Sequence, residues 1–259
     1  MIYDTRKDLS ETGNLKDYLS SDLINNLYFA PKKVDKSLID KKLADQNYLN
    51  KIARTLSTYK EINIEEMISG KIKEFELDTS CQAGDYKIYV IVGLDTTTIY
   101  SIKYNGENAV VLLLESTDGE IDKLNMLLAH EFTHLVRKQE FGENIFENSL
   151  GERFVTEGIG CNYAKEIAPG KADFEYCIVG EDTVLWVKNN LEIIEEHMAG
   201  KIDSNELISD YFYMFADTAK TGLPARTGYV YGYLKVKEYL EKNNLKAKDI
   251  IAKDWRDIL

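Results

Sequence analysis

Residues 120–139 read EIDKLNMLLAHEFTHLVRKQ, and the fold turns on whether this stretch is a helix. At about 100° per residue, Leu124, Leu128, Phe132 and Leu135 fall in one apolar stripe, which Met126 and Leu127 widen. Only Asp122, Ala129 and Thr133 mark a solvent sector. His130, Glu131 and His134 then lie in the buried part of a mostly apolar helix, where polar groups are costly unless paired or bound to a metal. Positions i and i+4 sit one turn apart on one helix face, so both imidazoles of the HEFTH pentad can address a single ion with the glutamate beside them. The competing reading makes His130 and His134 hydrogen-bonded core residues and gives Glu131 a cationic partner. Two histidines at ligand spacing around a carboxylate, in a chain with three histidines in all, favour the metal.

Upstream, Tyr86 to Val92 (YKIYVIV), Thr98 to Tyr104 (TIYSIKY) and Ala109 to Leu114 (AVVLLL) are β-branched and aromatic, with the tight-turn pair Asn105-Gly106 before the last run. They predict a small antiparallel sheet preceding the helix, with Ser116, Thr117 or Asp118 as the helix cap. Earlier still, apolar residues such as Leu23, Leu27, Leu38, Leu43, Ile52 and Ile72 recur at helical intervals, interrupted at Pro31 beside a solvated Lys32-Lys33 pair. Downstream, a loop through Gly142 and Asn144 leads to a helix near Glu152 to Ile167, closed by Pro169-Gly170. Further helices are expected near Thr183 to Met198, Glu206 to Tyr213, Tyr229 to Asn243 and Lys248 to Leu259. The fold class is therefore α+β and helix-dominated. A helical lobe over residues 1–80 precedes a domain over 81–259 that carries the pentad, the two packed as one globular unit.

A length of 259 residues with 44% hydrophobic and 29% charged residues suits a soluble globular chain with a real core. The net charge of -12 argues against nucleic acid and against an anionic membrane surface, since both are bound through excess Lys and Arg. Cys81, Cys161 and Cys177 are odd in number and unrelated in spacing, which fits neither a disulfide framework nor a thiolate zinc knuckle. A reducing compartment follows, and with no basic start and apolar h-region at the N-terminus the expected location is cytoplasmic. An exported precursor already stripped of its signal peptide would read the same way. Oligomeric state has no signature here.

A hydrolytic zinc site takes three protein ligands and leaves the fourth position to water. Asp217 and other acids are remote candidates for the third, whereas ERFVTEGIGCNYA at residues 152–164 offers Glu157 at the centre of the next helix. Gly158 and Gly160 after it would let that helix approach the first. Glu152 reads as a first-turn charge complementing the helix dipole. His134 is followed by LVRKQEFGE, without the downstream Gly and His of a metzincin-type site. His197 follows Ile193-Ile194-Glu195-Glu196 on a charged helix and reads as a non-ligand, and Cys161 as a small buried hydrophobe rather than a metal-binding thiol.

The pairing of HEFTH with FVTEGIGCNYA resembles a gluzincin, a zinc peptidase whose third ligand is a glutamate on the helix after the HExxH helix. More narrowly, HEFTHLVR, TEGIG and GYVYGYLKVKEYL (residues 228–240) are similar to the predicted zinc-dependent proteases of domain-of-unknown-function family 2268. These blocks extend from about residue 109 to 242, leaving the N-terminal lobe outside. The resemblance implies a zincin-like fold, zinc held by His130, His134 and Glu157, a peptide or protein substrate, and Glu131 as general base to a metal-activated water. It also favours Tyr229 as the oxyanion donor. Tyr229 and Tyr233 share one helical face, and in a chain with 17 tyrosines the competing reading is an aromatic packing stripe. Many gluzincins carry an acid four residues after the ligand glutamate to orient a metal histidine, whereas this chain has Cys161. That orientation falls to Asn162, another carboxylate or a backbone carbonyl. The strand at 109–114 is by analogy a substrate-binding edge, or else an internal core strand. The alternative function is a non-catalytic or regulatory metal-binding protein with a peptidase-like fold and one protein partner. The intact Glu131 counts against it, because a structural metal has no use for a general base.

Overall fold

Strands β1 (Ile2–Asp4), β2 (Lys87–Ile91), β3 (Ile99–Tyr104) and β4 (Glu107–Leu113) form one sheet in the order β1-β2-β4-β3. The computed structural model describes residues 1–28, 36–95, 97–213 and 218–259; Pro31, Lys32, Lys33 and Asp217 lie outside them. Asn105 and Gly106 both adopt positive φ (52° and 80°), the conformation of a two-residue hairpin turn, and β3 pairs antiparallel with β4. β2 then takes the other side of β4 in parallel register, Ile88 opposite Val110 and Val90 opposite Leu112, and β1 adds parallel to β2. The sheet is thus mixed, not antiparallel. The cause is the run of β4, whose successive residues from Ala109 to Leu113 are all buried, as in an interior strand covered on both faces. With β2 and β3 on its two sides, β4 has no free edge for a substrate strand.

Short helices α1 (Arg6–Thr12), α2 (Leu15–Leu19), α3 (Asp22–Leu27) and α4 (Lys36–Leu43) and the longer α5 (Gln46–Thr58) and α6 (Ile64–Thr79) come from the charged N-terminal region. The chain divides into two compact units, Met1–Glu74 with Asp85–Leu127, and Phe75–Gly84 with Leu128–Leu259. In the first, Tyr18, Leu19, Ile24, Leu27, Ile39, Tyr48 and Ile52 bury one face of the sheet through Tyr89, Ile91, Val111 and Leu113. Phenols satisfy the strand ends: Tyr48 donates to the Gly93 carbonyl at 2.6 Å, and the Val92 amide donates to the Tyr18 oxygen at 3.0 Å.

After β4 the chain makes a 3-10 turn in which Ser116 and Thr117 donate back to the Leu113 and Leu114 carbonyls. Asp118 pairs with Lys51 and Lys123, so none of the three expected caps closes the following helix. That helix, α7 (Ile121–Phe141), leads through α8 (Ile145–Asn148) to α9 (Leu150–Ile167), whose first turn is capped where the Ser149 hydroxyl accepts from the Glu152 amide at 3.1 Å. There follow α10 (Asp173–Tyr176), α11 (Glu181–Asn189), α12 (Leu191–Met198), α13 (Ile208–Phe212), α14 (Thr218–Thr221) and α15 (Thr227–Asn243). The helix expected over 183–198 is broken because Asn190 leaves the helical region (φ -135°, ψ 33°) and its side chain donates to the Trp186 carbonyl. The expected last helix is instead two 3-10 turns, Ala247–Ile250 and Trp255–Asp257.

In the second unit α15 crosses α9 at two glycines. A Cβ on Gly158 would overlap the Gly232 carbonyl, and one on Gly232 would overlap the Phe154 carbonyl, so the two backbones touch where no side chain fits. No helix among the described residues is long and apolar enough to cross a membrane.

Candidate metal centre

α7 is buried nearly all round from Leu128 to Arg137, and Ala129 and Thr133, expected to face solvent, are fully covered. Thr133 meets that burial by donating to the His130 carbonyl at 2.8 Å. On the same turns His130, Glu131 and His134 are 4%, 5% and 5% exposed, and Glu157 of α9 is 2% exposed. Buried groups of this polarity need a compensating partner.

Three of the four, His130, His134 and Glu157, meet one another. His130 Nε2 and His134 Nε2 each lie 3.2 Å from Glu157 Oε2, with the two rings 4.6 Å apart and nearly perpendicular. Ligand atoms of His130, His134 and Glu157 all fall within 4.8 Å of one another, the one such group of metal-binding side chains among the described residues. Room for the His130 ring comes from Gly160, where a Cβ would sit 2.9 Å from Cε1 and 3.0 Å from Nδ1. Gly160 thus faces the first metal-site helix as expected, whereas Gly158 faces α15.

Charge states agree with ligation. Burial pushes the His134 pKa down against the opposing pull of Glu157, which keeps a ring lone pair free. Burial alone would raise the Glu157 carboxyl, but the Arg153 guanidinium and the imidazoles outweigh it and hold the pKa well below the usual carboxylate range. Zinc binds nitrogen and carboxylate oxygen at about 2.0–2.2 Å, and tetrahedral ligands at that radius are about 3.3 Å apart. The 3.2 Å nitrogen-to-oxygen spacings match that separation and are equally those of a direct imidazole–carboxylate contact, within a set of ligand atoms gathered to 4.8 Å.

Tyr229 of α15 is half-buried, with its ring 5.5 Å from Phe212 and 4.4 Å from the Arg226 guanidinium. Phe212, on which its ring packs, also lies 5.0 Å from the Arg153 guanidinium. Tyr233 goes elsewhere, its hydroxyl donating to Asp173 at 2.8 Å and accepting from Lys165 at 2.7 Å. His197 is engaged with the Tyr211 hydroxyl at 3.0 Å. Asn162 donates to the Gly158 and Tyr233 carbonyls and does not orient a histidine; both histidine Nδ1 atoms are buried without a partner among the described residues. Burial and the neighbouring Cys177 push the Cys161 thiol well up, the state of an inert packed sulfur rather than of a thiolate ligand.

Two arginines near the site escape a sequence reading. Arg153, four residues before Glu157, pairs with Glu157 Oε1 at 2.8 Å, an i,i+4 spacing that is itself a readable signal. Arg137, fully buried, pairs with Glu152, donates to Thr156 at 2.9 Å, and donates to the Ile251 and Lys253 carbonyls at 2.8 and 3.0 Å. Glu152 is therefore half of a buried ion pair as well as a first-turn charge.

No curated protein and no solved structure matches the chain. Residues 76–259 match the family model described as predicted zinc-dependent protease, domain of unknown function 2268, and with that match covering more than two thirds of its length the chain belongs to this family.

Proposed function

We propose that the chain is a gluzincin-type zinc peptidase that hydrolyses bonds in a peptide or protein substrate. The observation that supports this most directly is the meeting of His130 Nε2, His134 Nε2 and Glu157 Oε2 from two helices, with Glu131 buried on the same turn. Zinc on such ligands supplies Lewis-acid polarisation of water and of a carbonyl. His130, His134 and Glu157 would hold that ion through two imidazole nitrogens and one carboxylate oxygen. Glu131 accepts the proton of the attacking water and returns it to the leaving amine. Tyr229 donates its hydroxyl hydrogen to the oxyanion that develops on the former carbonyl.

Glu131→Gln separates binding from chemistry. The variant should keep stoichiometric zinc by metal analysis and lose hydrolysis of an unfolded protein substrate by about 10²-fold or more. Wild-type turnover in Glu131→Gln would remove the base assignment. A wild-type protein that takes up no zinc would remove the whole reading.

A further inference from the structure

We propose that Arg153 is the positioning residue of this centre, clamping Glu157 so that a single carboxylate oxygen faces the histidine pair and gripping the Phe212 ring on which Tyr229 packs. The inference rests on the metal-site reading above and adds to it a device for building the site.

The two oxygens of Glu157 are divided. Oε1 takes the Arg153 guanidinium at 2.8 Å, while Oε2 takes both imidazoles at 3.2 Å. A carboxylate so divided offers an ion one oxygen and cannot swing round to offer two. Arg153 is fixed in turn by aromatic rings, lying 4.4 Å from the Phe146 centroid and 5.0 Å from that of Phe212. Phe146 also meets His134 edge to face at 5.0 Å, and Phe212 meets Tyr229 at 5.5 Å. The rings that grip the guanidinium therefore also touch a metal-site histidine and the tyrosine. The side chain is 16% exposed, and its Nε is buried without a partner among the described residues.

An ordinary helix-surface ion pair has none of this enclosure. The flat, forked guanidinium suits it: a planar cation stacks on rings while it reaches the carboxylate in a fixed direction, which an ammonium does not. With both histidine Nδ1 atoms unpartnered, orientation reaches the centre through the carboxylate ligand instead of through the rings.

The test compares Arg153→Met and Arg153→Lys with the wild type and with Tyr229→Phe. Zinc affinity is read by competition with a chromophoric chelator, the ligand field by the visible spectrum of the Co²⁺-loaded proteins, and kcat and KM on a peptide. Arg153→Met should weaken zinc about 10- to 100-fold and alter the Co²⁺ bands. Arg153→Lys should recover most of the affinity but not kcat, and Tyr229→Phe should lower kcat in the wild type yet add little to Arg153→Lys. Wild-type affinity, spectrum and kcat in both Arg153 variants would overturn the inference and leave the peptidase reading standing. If Arg153→Met does not fold, an unchanged spectrum and kcat in Arg153→Lys overturn it alone. A wild type that binds no zinc overturns both.

Discussion

Glu157 carries a charge in a place where a lone carboxylate would not keep one. Its ionisation depends on Arg153 and the two imidazoles together, so deleting it affects two things. Glu157→Ala should lower bound zinc to well below one ion per chain by metal analysis. It should also strand the Arg153 cation, and breaking a buried pair by removing one partner costs about 3–5 kcal/mol; that loss is to be read by denaturant unfolding in the presence of chelator, where zinc plays no part. A variant that loses metal but keeps full chelated stability would show that Arg153 finds another partner. At this scale much was legible. That His130, His134 and Glu157 come together could be read because they are spaced along two helices, four residues apart within the first. Arg153 stood in the same quoted stretch without a role, because its setting depends on Phe146 and Phe212, whose approach no local pattern records.

Helix α9 presents different faces to different partners, and its glycines mark where it comes closest. Gly160 leaves the space into which the His130 ring projects. Gly160→Ala adds a methyl group there while raising helix propensity by about 1 kcal/mol, so the fold should survive and the ring should be displaced. The expected result is zinc binding weakened at least about tenfold with a melting temperature within a few degrees of wild type. Unchanged affinity would mean that the ring shifts without cost. The elements themselves were visible wherever a period ran long enough: α7, α9, α15, the three strands from β2 to β4 and the Asn105-Gly106 turn. What was not visible was pairing. Three residues are too few to show the alternation of β1, and direction in the sheet depends on which side of β4 remains open once the hairpin forms. The segment after residue 247 has helical periodicity but lends the Ile251 and Lys253 carbonyls to Arg137, where a helix would have used them internally.

Across the second unit, Arg137 ties α7, α9 and the segment at residues 251–253 through a single guanidinium. Arg137→Met leaves the Glu152 carboxylate buried without its cation and two carbonyls without a donor. A destabilisation of about 3–5 kcal/mol is expected, measured as a fall in the urea midpoint. Adding Glu152→Met should return part of it, since an apolar replacement of both charges removes the stranded carboxylate; a double variant no more stable than the single would place the whole cost on the carbonyls. The overall class, helix-dominated with one small sheet, followed from composition and periodicity, whereas this clasp joins residues more than a hundred positions apart. That separation bears on how the molecule is made. While the ribosome is still decoding the codons near 250, the helix that bears the paired imidazoles has emerged but lacks two acceptors for its buried cation, so released chains truncated before Ile251 should remain open to protease and only those that extend past Lys253 should become resistant.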